Sequence, residues 1–171
     1  IRSSLEVKQK NGEFVGSFAP YGYMKAPDNR NQLIVDEDVR ETVQMIFSLY
    51  KDGVSIGRIA DRLNQMGVLS PMEYKHSKGE KYDTVFKRGE TALWTYKAVQ
   101  RILSNEVYIG VLAQGKRGTP NHKVRVVQKK DESEWIKVEN AHEAHVSYED
   151  FMAVKTMMKR DMRCPSDCEE A

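Results

Sequence analysis

The chain changes period at Val107, and that change limits the folds open to it. Upstream, apolar residues recur at helical spacing: Val39, Val43, Ile46 and Tyr50, then Ile56, Ile59, Ala60, Leu63 and Met66, then Val99, Ile102 and Leu103. Downstream, Val107–Ala113, Lys123–Gln128 and Trp135–Val138 read as strands. Helices gathered in one stretch and strands in another predict an α+β fold rather than alternating βα units. The expected architecture is a helical, helix-turn-helix-like lobe, a small antiparallel β-sheet and a closing C-terminal helix. That last helix starts at Ser147 with Asp150 and takes its apolar side from Phe151, Val154 and Met158.

Local signals place the boundaries. Asp38 with Glu41 reads as a capping box, and Asp52-Gly53 ends the first of the three upstream helices. Ser55 caps the second helix and Gly67 stops it; Thr95 caps the third, with Trp94 packed at its start. Trp135, Phe47, Phe151 and Tyr50 also fall at core-facing positions. Residues 68 to 92 are polar and rich in Lys and Gly, and their length predicts a mobile or functional loop. Leu33–Val35 reads as a short strand after a turn at Asp28–Gln32. The segment Ala19-Pro20-Tyr21-Gly22-Tyr23 is no helix interior, because Pro20 has no N–H and pushes Ala19 towards extended geometry. Gly22 permits a tight turn there, with Tyr21 and Tyr23 packing on the helices. Residues 1–12 are polar with scattered apolar positions (Leu5, Val7) and read as the tail of a helix entering from a preceding domain.

The net charge is only +2, but it is unevenly spread. Residues 75 to 130 hold 13 Lys or Arg against 4 Asp or Glu, a net +9, and the remainder is −7. Such polarity suits a face turned to phosphate, and equally a solvated loop with incidental lysines. Within this stretch the third helix turns Tyr96, Lys97, Gln100, Arg101 and Ser104 outward. Arg101 has the fork that pairs with guanine, and Gln100 the amide that pairs with adenine. Lys97, Thr95 and Tyr96 suit phosphate. The same pattern by itself also describes an amphipathic helix with a solvated face. A second candidate is the basic hairpin carrying Lys116, Arg117, Lys123 and Arg125, and Lys78, Lys81, Lys87 and Arg88 could add phosphate contacts from the long loop.

Other chemistry is thin. His142-Glu143-Ala144-His145 spaces its histidines three apart, not the four of a His-Glu-x-x-His zinc helix, and it precedes a helix rather than lying in one, so it is not read as a metal site. Cys164 and Cys168 could supply at most half of a zinc site, and otherwise read as free thiols in a reducing compartment. No catalytic, metal-binding or cofactor-binding residue is assigned. No apolar run reaches the roughly 18 residues of a membrane span, and no leader is visible.

One ordered set of motifs adds to this. Gly16-Ser17-Phe18-Ala19-Pro20-Tyr21-Gly22-Tyr23 is followed by Gly53-Val54-Ser55 and Ile59-Ala60-Asp61-Arg62-Leu63-Asn64. Then come Trp94, Arg101-Ile102-Leu103-Ser104-Asn105 and Tyr108-Ile109-Gly110. This order closely resembles the recombinase domain of large serine recombinases (serine integrases and transposases), over about Gly12 to Arg160. The resemblance implies a DNA-binding domain at residues 13–160, with a helical lobe at 13–106 and sheet plus helix at 107–160. Residues 1–12 would end a linker helix from a separate catalytic domain. Residues 161–171 would form an acidic link to a further module, commonly a zinc ribbon. The catalytic serine would lie in that other domain, so Ser3 and Ser4 receive no role and this chain alone is no enzyme, although its parent would exchange DNA strands. The implied partners are a double-stranded attachment site and, in the parent, further copies in dimers and tetramers, with no membrane. The implied setting is the cytoplasm of a bacterium carrying a phage or mobile element. The connection at 68–92 is longer than in many members. Two other readings fit the residues: a stand-alone helix-turn-helix regulator, and a protein-interaction module.

Overall fold

The computed structural model describes residues 2–80, 91–119 and 126–161. In chain order these form α1 (Arg2–Lys10), β1 (Tyr23–Lys25), β2 (Leu33–Val35), α2 (Glu37–Lys51), α3 (Ile56–Gln65), α4 (Pro71–Ser77) and α5 (Tyr96–Leu103). They continue with β3 (Leu112–Gln114), β4 (Arg117–Gly118), β5 (Gln128–Lys129), β6 (Ile136–Val138) and α6 (Tyr148–Asp161), with 3₁₀ turns at Glu106–Ile109 and Glu132–Glu134. The fold is α+β, as expected. Among the described residues, however, its strands do not join into one sheet. They form three antiparallel pairs, β1 with β2, β3 with β6, and β4 with β5. Among the described residues, no helix is long and apolar enough to cross a membrane.

The chain builds two compact units, each from two separate stretches: Ile1–Glu41 with Glu106–Ser147, and Thr42–Asn105 with Tyr148–Ala171. The sequence reading sets off residues 1–12 and 161–171 and splits 13–160 after residue 106.

In the first unit, Gly22 turns the chain at φ +92°, and Tyr23 opens β1 opposite Val35 of β2. Tyr21 and Tyr23 are both buried. The Tyr23 hydroxyl lies 2.9 Å from the Val107 carbonyl and 2.8 Å from that of Glu143, so its single proton is shared between two chain segments. The Tyr108 hydroxyl donates to the Tyr21 carbonyl at 2.6 Å. His142 and His145 meet the Tyr23 ring edge-on, each at 4.7 Å between centroids. The expected strand at Val107–Ala113 is the point most at odds with the sequence. Val107 and Tyr108 are both buried, which alternation forbids and a 3₁₀ turn allows; β3 begins only at Leu112.

Both histidines of the His-Glu-Ala-His segment are hydrogen-bonded into the fold. The His142 ring nitrogen Nε2 donates to Val107 O at 2.7 Å, and that of His145 to Gly22 O at 2.6 Å. A carbonyl can only accept, so both imidazoles carry their proton on Nε2. Glu143 instead turns its carboxylate to Arg40, which Glu37 also holds. Burial holds both imidazoles below their ordinary pKa. For His145 the Gly22 carbonyl and the Glu143 and Glu37 carboxylates pull upward, while Arg40 adds to the lowering. A histidine depressed on folding stabilises the protein above its unfolded pKa of about 6.5, because below it the unfolded chain takes up the protons first. The thermal midpoint should therefore fall between pH 7.5 and pH 5.5. His142→Gln keeps an N–H for Val107 O and should weaken that dependence. A midpoint flat across this range would show that the pair does not titrate with unfolding.

Candidate nucleic-acid interface

The second unit is built to hold one helix in place. α2 ends at Gly53 (φ +88°), whose N–H reaches Tyr50 O while the Val54 N–H reaches Leu49 O, both at 3.0 Å. These crossed bonds satisfy the last carbonyls of the helix and turn the chain into α3. Gly67 (φ +70°) ends α3 in the same way, through Asn64 O and Leu63 O. At the other end of α2 the capping residue is Asp36, whose carboxylate accepts the Asp38 N–H at 3.3 Å. The expected Asp38–Glu41 box is displaced, because the helix already includes Glu37. Met66, expected in the apolar stripe of α3, is exposed: it is the C-cap, where the helical period has stopped.

Ser55 and Thr95 cap α3 and α5 as expected, accepting the N–H of Arg58 and of Ala98. Ile59 and Leu63 of α3, and Val99 and Leu103 of α5, are wholly buried where the two helices pack. α5 also packs on α6, whose Phe151 and Val154 are buried. Phe47 lies 6.2 Å from Phe151 between ring centroids, and the Tyr50 hydroxyl donates to Asp161. Residues 68–92, expected as loop throughout, contain α4. Ser70 caps it and Pro71 opens it, but it buries no residue and so shows no apolar stripe.

The start of α5 is fixed by a residue that the sequence reading quoted without giving it a role. The Asn64 side chain donates to Trp94 O at 3.0 Å and accepts the Trp94 N–H at 2.8 Å. The Trp94 indole N–H donates to Val68 O at 3.0 Å, and the ring is 3% exposed. The usable signal in the sequence is a carboxamide at the edge of an apolar helical stripe, with an aromatic preceding a helix cap. The 30 residues between them conceal the pairing.

With its inner face committed, α5 leaves a defined outer row. Lys97, Arg101 and Ser104 are exposed, and Gln100 is half-buried. These residues follow the i, i+3, i+4, i+7 spacing of one helical face. Tyr96 is 51% exposed, and with Gln100 it flanks a cleft of about 360 Å³ that Tyr50, Ser55 and Asp161 also line. Thr95 is exposed, but its hydroxyl oxygen already serves as the cap.

Of the hairpin candidates, Lys116 and Arg117 belong to the first unit. Arg117 is exposed on β4 opposite Lys129. Lys116 is half-buried; its ammonium lies 4.8 Å from the centroid of the Trp135 ring, and burial lowers its pKa. Trp135 is therefore no core residue. It is half-exposed, with Lys116 and Lys137 over its ring. Lys123, Arg125, Lys81, Lys87, Arg88, Cys164 and Cys168 lie outside the described residues. Among the described residues, no group of three or more His, Cys, Asp or Glu could hold a metal ion.

Comparison with known proteins places this geometry. Residues 37–161 match the family model described as Recombinase. An uncharacterized protein of Sinorhizobium fredii, y4bA/y4pH, is 27% identical over 138 residues, covering 77% of this chain and 19% of that protein. A crystal structure of an LSR–DNA complex superposes with a TM-score of 0.60 at 16% identity, over all of this chain and 43% of that one. A structure concerned with the sequence requirements of the Listeria innocua prophage attP site also gives 0.60, at 18% identity, over all of this chain and 57% of that one. At these identities the likeness to the solved structures is one of fold. The chain spans about a fifth of the curated relative and about half of the two solved chains.

Proposed function

The chain belongs to the Recombinase family, and we propose that it is the part of a large serine recombinase that binds duplex DNA at attachment half-sites. The observation that carries this reading is α5. One face is wholly buried on its neighbours, and the other bears Lys97, Gln100, Arg101 and Ser104 in one row. A helix held in that way can enter a major groove without rearranging. Its Arg and Gln side chains have the donors and acceptors that distinguish guanine and adenine there. The fold it shares with an LSR–DNA complex, and with a chain solved for a prophage attP site, supports the same partner.

The length of α5 limits what it can read. Eight residues at 1.5 Å each give about 12 Å, or three to four base pairs at 3.4 Å per step. A longer half-site needs a second contact, and the β4–β5 hairpin supplies a candidate in Arg117. Lys116 is a weaker candidate, since its ammonium already sits over Trp135. In the parent, strand cleavage would fall to a serine of a separate domain, and synapsis to further copies of the protein.

Selection of bound duplexes from a random pool, at near-physiological salt with competitor, tests the proposal. An enriched motif is expected, with affinity falling steeply as salt rises. Arg101→Ala should cost about 1–3 kcal/mol on that motif and relax the preference at one position, whereas Arg117→Ala should weaken all duplexes alike and flatten the salt slope. Binding without any enriched motif, lost on adding salt, would reject half-site reading.

A further inference from the structure

We infer that Asn64 is the positioning residue of the recognition helix: it touches no DNA, and it sets where α5 begins through Trp94. The inference rests on the reading of α5 given above. Asn64 takes up both polar backbone groups of one residue, accepting the Trp94 N–H at 2.8 Å and donating to the Trp94 carbonyl at 3.0 Å. That exchange needs a donor and an acceptor side by side on one short side chain, and a carboxamide provides both.

The placement of the two partners gives the contact its consequence. Asn64 lies in the last turn of α3, next to Leu63, which is wholly buried. Trp94 immediately precedes Thr95, the cap of α5. Holding both backbone groups of Trp94 fixes where the first turn of α5 starts, and so which way Lys97, Gln100 and Arg101 face. The indole bond to Val68 O restrains the same residue from its side chain. Ser70 and Glu73 do something different. They hold the carbonyl and the N–H of Ala92, two residues earlier, and so restrain the approach to α5 rather than its cap. Without Asn64, α5 would keep its buried face and the indole bond but lose both restraints on the Trp94 backbone.

The test compares the 171-residue chain with Asn64→Ala and Asn64→Asp. Two quantities are read: affinity for the selected duplex against a scrambled one, and hydrogen exchange at the Ala98 and Val99 amides. For Asn64→Ala, affinity for the selected duplex should fall about tenfold or more, on the scale of losing buried hydrogen bonds. Affinity for the scrambled duplex and its salt slope should stay within about twofold. Exchange at Ala98 and Val99 should accelerate, while that at Phe151 should not. Asn64→Asp keeps the acceptor and loses the donor, so it should fall between; if the alanine variant does not fold, the aspartate variant carries the same comparison. A lower melting point with an unchanged ratio between the duplexes overturns the inference, since that is what a purely structural residue gives. If the unsubstituted protein prefers neither duplex, the DNA reading fails. The positioning role is then judged on exchange alone: acceleration confined to α5 upholds it, and unchanged exchange rejects it.

Discussion

Trp94→Ala is expected to lower the free energy of unfolding by about 3–5 kcal/mol, enough to threaten the fold of a domain of ordinary stability. The ring is 3% exposed, and its loss leaves a cavity where α5 begins. It also removes the indole N–H that satisfies Val68 O. Trp135→Ala is the matched control, expected to cost about 1 kcal/mol or less. Its ring is half-exposed and bounded by the ammonium groups of Lys116 and Lys137 at 4.8 and 5.8 Å from the centroid. Denaturant midpoints, with slopes compared, check both. Equal costs would mean that Trp94 is not the anchor its burial indicates.

The contrast between the two tryptophans shows where the sequence was readable. Trp94 precedes a Thr cap and a run with Val99, Ile102 and Leu103 at helical spacing, so its packing follows from local pattern. Trp135 stands in a short alternating run, where nothing local says which face is covered. The same distinction runs through the fold. α2, α3, α5 and α6 each carry an apolar stripe, and their presence was legible; Gly53 and Gly67 marked stops that positive φ explains. α4 carries no stripe and was missed, although Ser70, Pro71 and Glu73 hold the cap, first-turn and acidic positions of a helix start. The 3₁₀ turn at Glu106–Ile109 was misread because its burial is decided by Tyr23 and His142, which reach Val107 O from distant parts of the chain. In the candidate site, the outward row of α5 could be read from spacing alone. Asn64 could not, because its partner lies 30 residues away and the contact is between a side chain and a backbone. The crowding of Lys116 against Trp135 was hidden for the same reason.

Gly110→Ala should be the second large effect, at about 2–5 kcal/mol, and Gly53→Ala shows why. Both glycines have positive φ, +82° and +88°, so alanine at either carries the left-handed penalty of about 1–2 kcal/mol. They differ in surroundings. A Cβ at Gly53 meets nothing within 4 Å, whereas one at Gly110 would lie 2.8 Å from the backbone oxygen of His142. That oxygen belongs to a segment tied down on both sides, since the Ala141 N–H donates to Gly110 O at 3.0 Å and the His142 ring donates to Val107 O at 2.7 Å. Making room therefore shifts backbone as well as side chain, which adds about 1–3 kcal/mol. It also pulls at Tyr23, whose hydroxyl is shared between Val107 O and Glu143 O. Measured side by side in urea, Gly110→Ala should lose roughly twice what Gly53→Ala loses. Equal losses would mean that the 141–145 segment yields freely, and that the glycine of Tyr108-Ile109-Gly110 is needed for its dihedral angle alone.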